Sequence, residues 1–250
     1  MSKIKLTALF LALVLTLNLS AKEYKASLFG VKSEGITLNT KSIQKAIDYI
    51  SENGGGKLVF YVGRYLTGTI QLKSNVIIEL KEGAILVATS SIYDYYSAGG
   101  PKALIVADGQ ENIGVTGKGV IEGNSTSVLG QINAQIQKGY LKETVAKASP
   151  ALIALNNCTN VTINEFNLFD ATGNVQYYSG CKNLLINGVT VKSIDSKDSK
   201  GLVLSGCDGV KLSNIYFETS GKELETAGSS KNVSALNCKN VKGEKLQLKN

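Results

Sequence analysis

The chain has 250 residues, 43% of them hydrophobic, with 26 glycines and two prolines, enough for a sizeable core in an ordered, turn-rich protein. It carries 27 basic and 20 acidic residues, and Arg64 is the only arginine. Since arginine is the side chain that best reads bases and phosphates, this composition argues against a nucleic-acid partner and leaves a solvated lysine surface or an acidic polysaccharide.

Residues 1–21 have the pattern of a secretory signal peptide. Two lysines near the N-terminus precede an apolar run at 6–19, and small residues follow this run. The run is short for a membrane span, and no later segment is apolar enough to form one. We therefore predict an exported protein, periplasmic or extracellular, whose mature part covers residues 22–250.

A helix is predicted over residues 41–52, with Asn39 or Thr40 as its N-cap. Its apolar residues recur at i, i+3, i+4 and i+7, which gives one apolar face: Ile43, Ala46, Ile47 and Ile50. Three glycines at 54–56 end it. We expect this helix to close the N-terminal end of the structure that follows.

Short strand-like pieces separated by glycines fill residues 57–121, and similar pieces resume at 151. Residues 124–150 interrupt this rhythm, because their middle part is polar with helical spacing. We interpret 124–150 as an excursion that either borders a binding groove or is packing decoration.

A recurring phrase in the second half of the chain predicts the fold. Its anchor positions are separated by 23, 26 and 23 residues: Cys158, Cys181, Cys207 and Ser230. Cys238 is an alternative fourth anchor, 31 residues after the third. A fixed period of this size, with alternating apolar residues inside each repeat, indicates an all-β solenoid, the parallel β-helix, with coils about 4.8 Å apart.

The repeat should stack three cysteines in one column. Neighbours about 4.8 Å apart lie within disulfide reach, but a buried thiol also packs as a small hydrophobe, and we predict free core thiols. A column cannot supply a tetrahedral cage and the chain has no histidine, so no metal site is expected.

Three stretches together resemble glycoside hydrolase family 28, the polygalacturonase-like enzymes of the pectin-lyase fold. They are the helix, Gly-rich turn and first strands at 42–86, the phrase GKGVIEGN at 117–124, and Pro150 leading into ALIALNNCTNVTI. The resemblance implies a right-handed parallel β-helix with an N-terminal capping helix, secretion, and pectin-type polymers as substrates. No cofactor is expected.

The family's acidic motifs have poor counterparts. Its Asn-Thr-Asp-Gly motif falls at Asp198-Ser199-Lys200-Gly201, so Lys200 stands where the family has a catalytic aspartate. Its Gly-Asp-Asp motif falls near residues 220–223, where Lys222 takes one acidic position and either Gly221 or Glu223 the other. The Gly-His-Gly motif has no histidine near 242–244, and the resemblance leads us to expect that a C-terminal part of the family domain is absent.

The candidate site residues follow from this comparison. Five acids lie near the expected groove: Asp195, Asp198, Glu218, Glu223 and Glu225. Asp198 and Glu223 are the best catalytic pair, since they belong to neighbouring coils. Counting back seven residues from the anchors Cys207 and Ser230 gives Lys200 and Glu223 as equivalent positions, the latter only if Ser230 is the true anchor. Lys200 and Lys222 are candidates for binding a uronate polymer, with Tyr177 and Tyr178 as a sugar-stacking face.

Two functions remain open. The first is a noncatalytic protein that binds acidic polysaccharide of the pectin or galacturonan type on a scaffold that has lost its acids. The second is a divergent glycosidase that hydrolyses galacturonan bonds, with a polysaccharide lyase that uses a lysine base as a weaker variant. The sequence leaves no segment for a C-terminal cap, so a truncated gene and an oligomer formed through the open C-terminal end are both alternatives.

Overall fold

The protein is a right-handed parallel β-helix with three sheets, and a computed structural model describes residues 22–197, 199–246 and 248. The predicted signal peptide, residues 1–21, lies outside the described residues. Every strand pair in the three sheets is parallel, as expected for a solenoid whose coils stack in sequence order. The predicted fold class is confirmed.

Each complete coil passes through sheet C, then sheet A, then sheet B. The eight strands of sheet A are β1 (Glu23–Lys25), β2 (Gly56–Phe60), β5 (Val76–Leu80), β8 (Glu111–Gly117), β11 (Thr159–Asn164), β14 (Lys182–Asn187), β17 (Asp208–Ser213) and β20 (Lys231–Leu236). The seven strands of sheet B are β3 (Gly63–Thr67), β6 (Ala84–Ala88), β9 (Val120–Glu122), β12 (Asn167–Phe169), β15 (Thr190–Ser193), β18 (Tyr216–Thr219) and β21 (Lys239–Asn240). The six strands of sheet C are β4 (Ile70–Gln71), β7 (Ala103–Asp108), β10 (Ala151–Asn156), β13 (Gln176–Ser179), β16 (Leu202–Ser205) and β19 (Leu224–Ala227).

The core lies inside the coils and is built from columns of aliphatic residues. In sheet A the register places Val161, Leu184 and Val210 in one column, and all three are buried. Such stacking follows from the period-two alternation of each strand, which sends every second side chain inward. Phe166 and Phe217 are among the largest fully buried side chains.

The N-terminal helix α1 spans Thr40–Glu52 and buries its four predicted apolar residues against the first coil. Asn39 is the N-cap residue, but its amide bonds to the backbone of Lys32 instead of the helix, at 2.7 and 2.9 Å. Thr40 Oγ1 accepts a hydrogen bond from Gly68 N at 2.7 Å. The predicted helix is confirmed, and these contacts fix it over the N-terminal end.

The cysteine column is present, with Ser230 as its fourth member. Thr159, Lys182, Asp208 and Lys231 stand opposite one another in sheet A, so the residues that precede them are aligned as well. Cys207 N also donates to Ser230 Oγ at 3.2 Å. Cys238 instead precedes β21 in sheet B, which rules out the alternative anchor. All four cysteines are buried and free.

An asparagine ladder runs along the start of sheet A. The side-chain amides of Asn112, Asn160 and Asn183 each donate to the Oδ1 of the asparagine one coil earlier, at 2.9, 3.0 and 3.1 Å, beginning at Asn75. All four residues have φ between 53° and 66°, a left-handed conformation that asparagine tolerates better than most residues. The ladder therefore links the turns of four coils.

We expect Asn160→Ala to lower the free energy of unfolding by about 1–3 kcal/mol, because it removes two amide hydrogen bonds and places alanine at a positive φ. Urea denaturation measures the change. Asn160→Gly separates the two causes, since glycine keeps the conformation and loses only the ladder bonds. Equal stability of Asn160→Ala and the wild type would contradict a stabilising role for the ladder.

The excursion contains helices α2 (Ser125–Gln137) and α3 (Val145–Ala148), which pack on each other through Val128, Ile132 and Ala148. Its anchor is Asp170 of the next coil, whose carboxylate accepts hydrogen bonds from Ser125 N at 2.8 Å and from Ser125 Oγ. Asp170 thereby caps α2 from outside the helix.

The C-terminal end is partly covered, contrary to the expectation that no segment remains for it. Residues 241–246 turn back, with Lys245 in an antiparallel bridge to Lys239, and Leu246 packs against the core. Leu246 N donates to Cys238 O at 3.0 Å. Separately, no helix in the described part of the chain is long and apolar enough to cross a membrane.

Candidate functional site

The residues that enter sheet C from the preceding turn define the site. Gln176, Leu202 and Leu224 stand opposite one another in β13, β16 and β19. The residues two positions earlier are Asn174, Lys200 and Lys222, and we name them the edge row. Backbone hydrogen bonds join the neighbouring coils here: Val175 N donates to Lys200 O at 2.8 Å, and Gly201 N donates to Lys222 O at 3.0 Å.

This register corrects one prediction. Counting back seven residues from Ser230 gives Glu223 as the residue equivalent to Lys200, but the structure gives Lys222. The reason is one extra residue between Ala227 and Ser230, compared with the step from Ser205 to Cys207. Each of the last two coils therefore has a lysine at this position, and neither has a carboxylate there.

The two lysines share one carboxylate. Lys200 Nζ lies 2.7 Å from Glu225 Oε1, and Lys222 Nζ lies 3.7 Å from Glu225 Oε2. The hydrogen bond from Lys200 is the main reason why the pKa of Glu225 is below its ordinary value. Glu225 is therefore ionised at neutral pH and has no proton to give to a leaving group.

A cleft of about 960 Å³ opens beside the edge row. One side is formed by residues 97–102, a second by the excursion, and the floor by the turns that lead into β13 and β16. Its charged lining comprises four lysines and two acids: Lys102, Lys147, Lys197, Lys200, Glu143 and Asp195. Lys102 Nζ lies 3.2 Å from Glu143 Oε1, which joins the first two sides. The lining thus has an excess of positive charge.

The sequence profile of Glycosyl hydrolases family 28 matches residues 57–246, which is most of the chain. This protein belongs to family 28. The predicted resemblance is confirmed, and with it the expectation of a polygalacturonase-like scaffold.

Two curated proteins are similar in sequence to this chain over part of their length. The exo-poly-alpha-D-galacturonosidase of Dickeya chrysanthemi is 24% identical over 247 residues, covering 80% of this chain and 41% of that protein. The plasmin and fibronectin-binding protein A of Streptococcus pneumoniae is 31% identical over 173 residues, covering 68% of this chain and 23% of that protein. This family 28 chain therefore spans less than half the length of these curated relatives.

One solved structure matches over its whole length. It is a candidate glycosyl hydrolase of Parabacteroides merdae, which is 48% identical and superposes with a TM-score of 0.86. The alignment covers 89% of this chain and 100% of that chain.

Of the predicted catalytic pair, the structure locates only Glu223. Its Oε1 accepts a hydrogen bond from Asn240 Nδ2 at 3.0 Å, and it lines a separate cavity of about 420 Å³ at the C-terminal end with Glu244 and Lys245. Glu223 therefore faces sheet B and not the cleft. Asp198 lies outside the described residues.

The other predicted acids occupy different places. Asp195 lines the cleft, whereas Glu218 pairs with Lys192 on sheet B, with Glu218 Oε2 3.3 Å from Lys192 Nζ. Within the described residues, no group of three or more His, Cys, Asp or Glu side chains is arranged to hold a metal ion.

The predicted tyrosine pair is wrong for Tyr178. That side chain is fully buried inside the coil, and its hydroxyl donates to Gln176 Oε1 at 2.9 Å. Tyr177 points outward and packs on the alanine-rich outer face of sheet C. Neighbouring residues of a strand face opposite sides, so the two rings cannot form one stacking surface.

The edge row predicts a pH-dependent stability. Because the folded-state pKa of Glu225 is lowered, its ion pair stabilises the fold above the unfolded-state pKa of about 4.3, and this stabilisation is lost as pH falls through the folded-state value. We expect Glu225→Gln to be less stable than the wild type near neutral pH, with a smaller difference at about pH 3. Urea denaturation at both pH values measures this, and a difference independent of pH would contradict the pairing.

Proposed function

We propose that this protein binds an acidic polysaccharide of the pectin or galacturonan type in the cleft and does not cleave it. The observation that carries the proposal is the edge row, in which Lys200 and Lys222 share Glu225, at positions that correspond to the family's Asn-Thr-Asp-Gly and Gly-Asp-Asp motifs. Supporting it are the family assignment and the positive excess of the cleft lining.

The chemistry of inverting hydrolysis explains why this arrangement favours binding over turnover. An inverting glycosidase needs a protonated acid at the leaving oxygen and a carboxylate base for water, roughly 6.5–9.5 Å apart. Lys200 replaces one carboxylate with an ammonium group, and Glu225 is held ionised by its two lysine partners. Neither side chain supplies the required acid.

The same side chains suit a uronate ligand. A lysine ammonium has three N–H donors, and Lys200 gives one to Glu225 while its side chain remains 32% exposed. Lys147 and Lys197 are exposed on the cleft lining. A polymer with one carboxylate per sugar would find several cationic partners along this surface.

We also propose export of the protein to the periplasm or the exterior, where such polymers are encountered. This follows from the signal-peptide pattern of residues 1–21. N-terminal sequencing of the protein recovered from outside the cytoplasm tests it, and a start at Met1 would contradict it.

A second candidate function, glycosidic hydrolysis, is favoured by the family assignment and by the position of Asp195 in the cleft. One experiment separates the two. The protein is incubated with polygalacturonate and with rhamnogalacturonan, new reducing ends and unsaturated products are measured, and binding is followed by calorimetry. We expect binding without products. Product formation that is abolished by Asp195→Asn, Asp198→Asn or Glu223→Gln would establish an enzyme.

A further inference from the structure

We infer that the cleft receives the end of a polysaccharide chain and not its middle, an inference that rests on the proposed function. The feature responsible is the segment 97–102, which we name the wall loop. It closes the cleft on its N-terminal side.

The wall loop is fixed at its base. The residues that flank it, Tyr96 and Ala103, form an antiparallel bridge, with Ala103 N donating to Tyr96 O at 3.3 Å. Asn156 Nδ2 in β10 donates to Ala98 O at 2.5 Å. Lys102 pairs with Glu143 of the excursion, so the loop is held from two sides.

The loop covers one end of the outer face of sheet C. A row of outward-facing residues crosses five strands in register: Val106, Ala154, Tyr177, Val203 and Glu225. Ala98 packs on the part of this face that contains Val106 and Ala154, and both of these are fully buried. Further along the row, Tyr177 and Glu225 are half-buried, and Glu225 pairs with both lysines of the edge row.

The wall loop leaves no space between itself and the C-terminal ends of β7 and β10, and at the level of the edge row Tyr96 bridges Ala103. A Cβ atom added at Gly100 would lie 2.8 Å from both side-chain polar atoms of Asn156, and one added at Gly99 would lie 2.9 Å from Asp108 Oδ2. The loop backbone therefore rests directly on the side chains of β7 and β10, leaving no space even for a methyl group.

A polymer that crosses the strands along the edge row thus meets the wall loop after the level of Ala151. On the opposite side the row continues to Lys222, whose side chain is 73% exposed. The cleft volume of about 960 Å³ lies near the top of the range, roughly 300–1,000 Å³, that encloses most of a small ligand. Such a site takes a terminal segment and leaves the rest of the chain outside.

Calorimetry with galacturonans of short, intermediate and long defined length tests the inference. We expect one protein per polysaccharide chain at every length. A number of bound proteins that grows with chain length would overturn chain-end binding while leaving the proposed function intact. Failure to bind any length would overturn the proposed function itself.

Blocking the chain ends gives an independent test. Short galacturonans are modified at the reducing end by borohydride reduction or at the non-reducing end by an unsaturated terminal ring. We expect one of the two modifications, and only one, to weaken binding by about tenfold or more. Equal affinity of both modified forms and the unmodified oligomer would overturn the inference.

Removal of residues 98–101 tests the wall loop directly. Ser97 and Lys102 then form a two-residue connection between Tyr96 and Ala103, which already pair as in a hairpin. We expect several molecules of this variant to bind each long polysaccharide chain. A ratio of one protein per chain would show that the loop does not set the binding mode. Asn156→Ala, which removes only the bond to Ala98 O, serves as a milder variant, and Lys211→Ala on sheet A is the control.

Discussion

Lys200→Glu lowers the affinity for polygalacturonate by about ten- to a hundredfold, the largest effect on binding that we expect from one substitution. A hydrogen bond to a charged partner contributes about 1.5–3 kcal/mol, and its loss corresponds to this range of affinity. The new carboxylate would stand beside Glu225, now without its closest cationic partner, and both would face the negative polymer. Calorimetry at about 0.1 M salt, where the Debye length is about 10 Å, measures the change.

A matched control distinguishes local contact from total charge. Lys211 is exposed on the outer face of sheet A, opposite Leu185 and Ser234, and Lys211→Glu changes the net charge by the same amount. We expect Lys211→Glu to bind within about twofold of the wild type, since exposed charges more than about 10 Å apart are largely screened at moderate salt. Equal losses in both variants would mean that binding depends on overall charge and not on the edge row.

The periodic part of the fold was readable from the sequence, because each coil repeats the same inward columns. Cys158, Cys181 and Cys207 occupy one slot, and their stacking follows directly from the period of the chain. Helix α1 was equally clear, since its four apolar residues form one face. In both cases local pattern and long-range packing demand the same structure.

The candidate site was less predictable, for reasons that particular residues illustrate. Glu223 was misplaced because one inserted residue before Ser230 shifts the count, and only strand pairing reveals it. Tyr178 was a local error, since alternation along β13 already implied that it and Tyr177 face opposite sides. The pairing of Lys200 with Glu225 joins residues 25 positions apart and becomes visible only when β16 and β19 are aligned.

The wall loop and the excursion lay beyond sequence reasoning for another reason. Both leave the repeat, so no period predicts where they return to the solenoid. Lys102 and Lys147 enter the cleft from these segments, and neither was a candidate. Their positions depend on a few specific contacts outside the repeat, such as that of Asp170 with the fully buried Ser125.

Asp170→Ala is therefore expected to detach the excursion and to destabilise it by about 3–4 kcal/mol. Ser125 is fully buried, and the substitution leaves both its backbone N–H and its hydroxyl without their carboxylate acceptor, at about 1–3 kcal/mol for each unsatisfied group. Asp170 also has φ of 56°, which alanine adopts less readily. Hydrogen exchange of the α2 amides measures the local opening, and urea denaturation measures the stability of the solenoid.

The pattern of effects identifies what the contact does. Asp170→Asn keeps an acceptor oxygen and tolerates the positive φ. We therefore expect it to lose less than half as much protection against hydrogen exchange in α2 as Asp170→Ala loses. Because Glu143 and Lys147 belong to the excursion, Asp170→Ala should also weaken polysaccharide binding while amides of β14 and β17 stay protected. Unchanged exchange in α2 would show that the Val128 and Ile132 packing alone holds the excursion, and the side of the cleft would then depend on apolar contacts instead of this carboxylate.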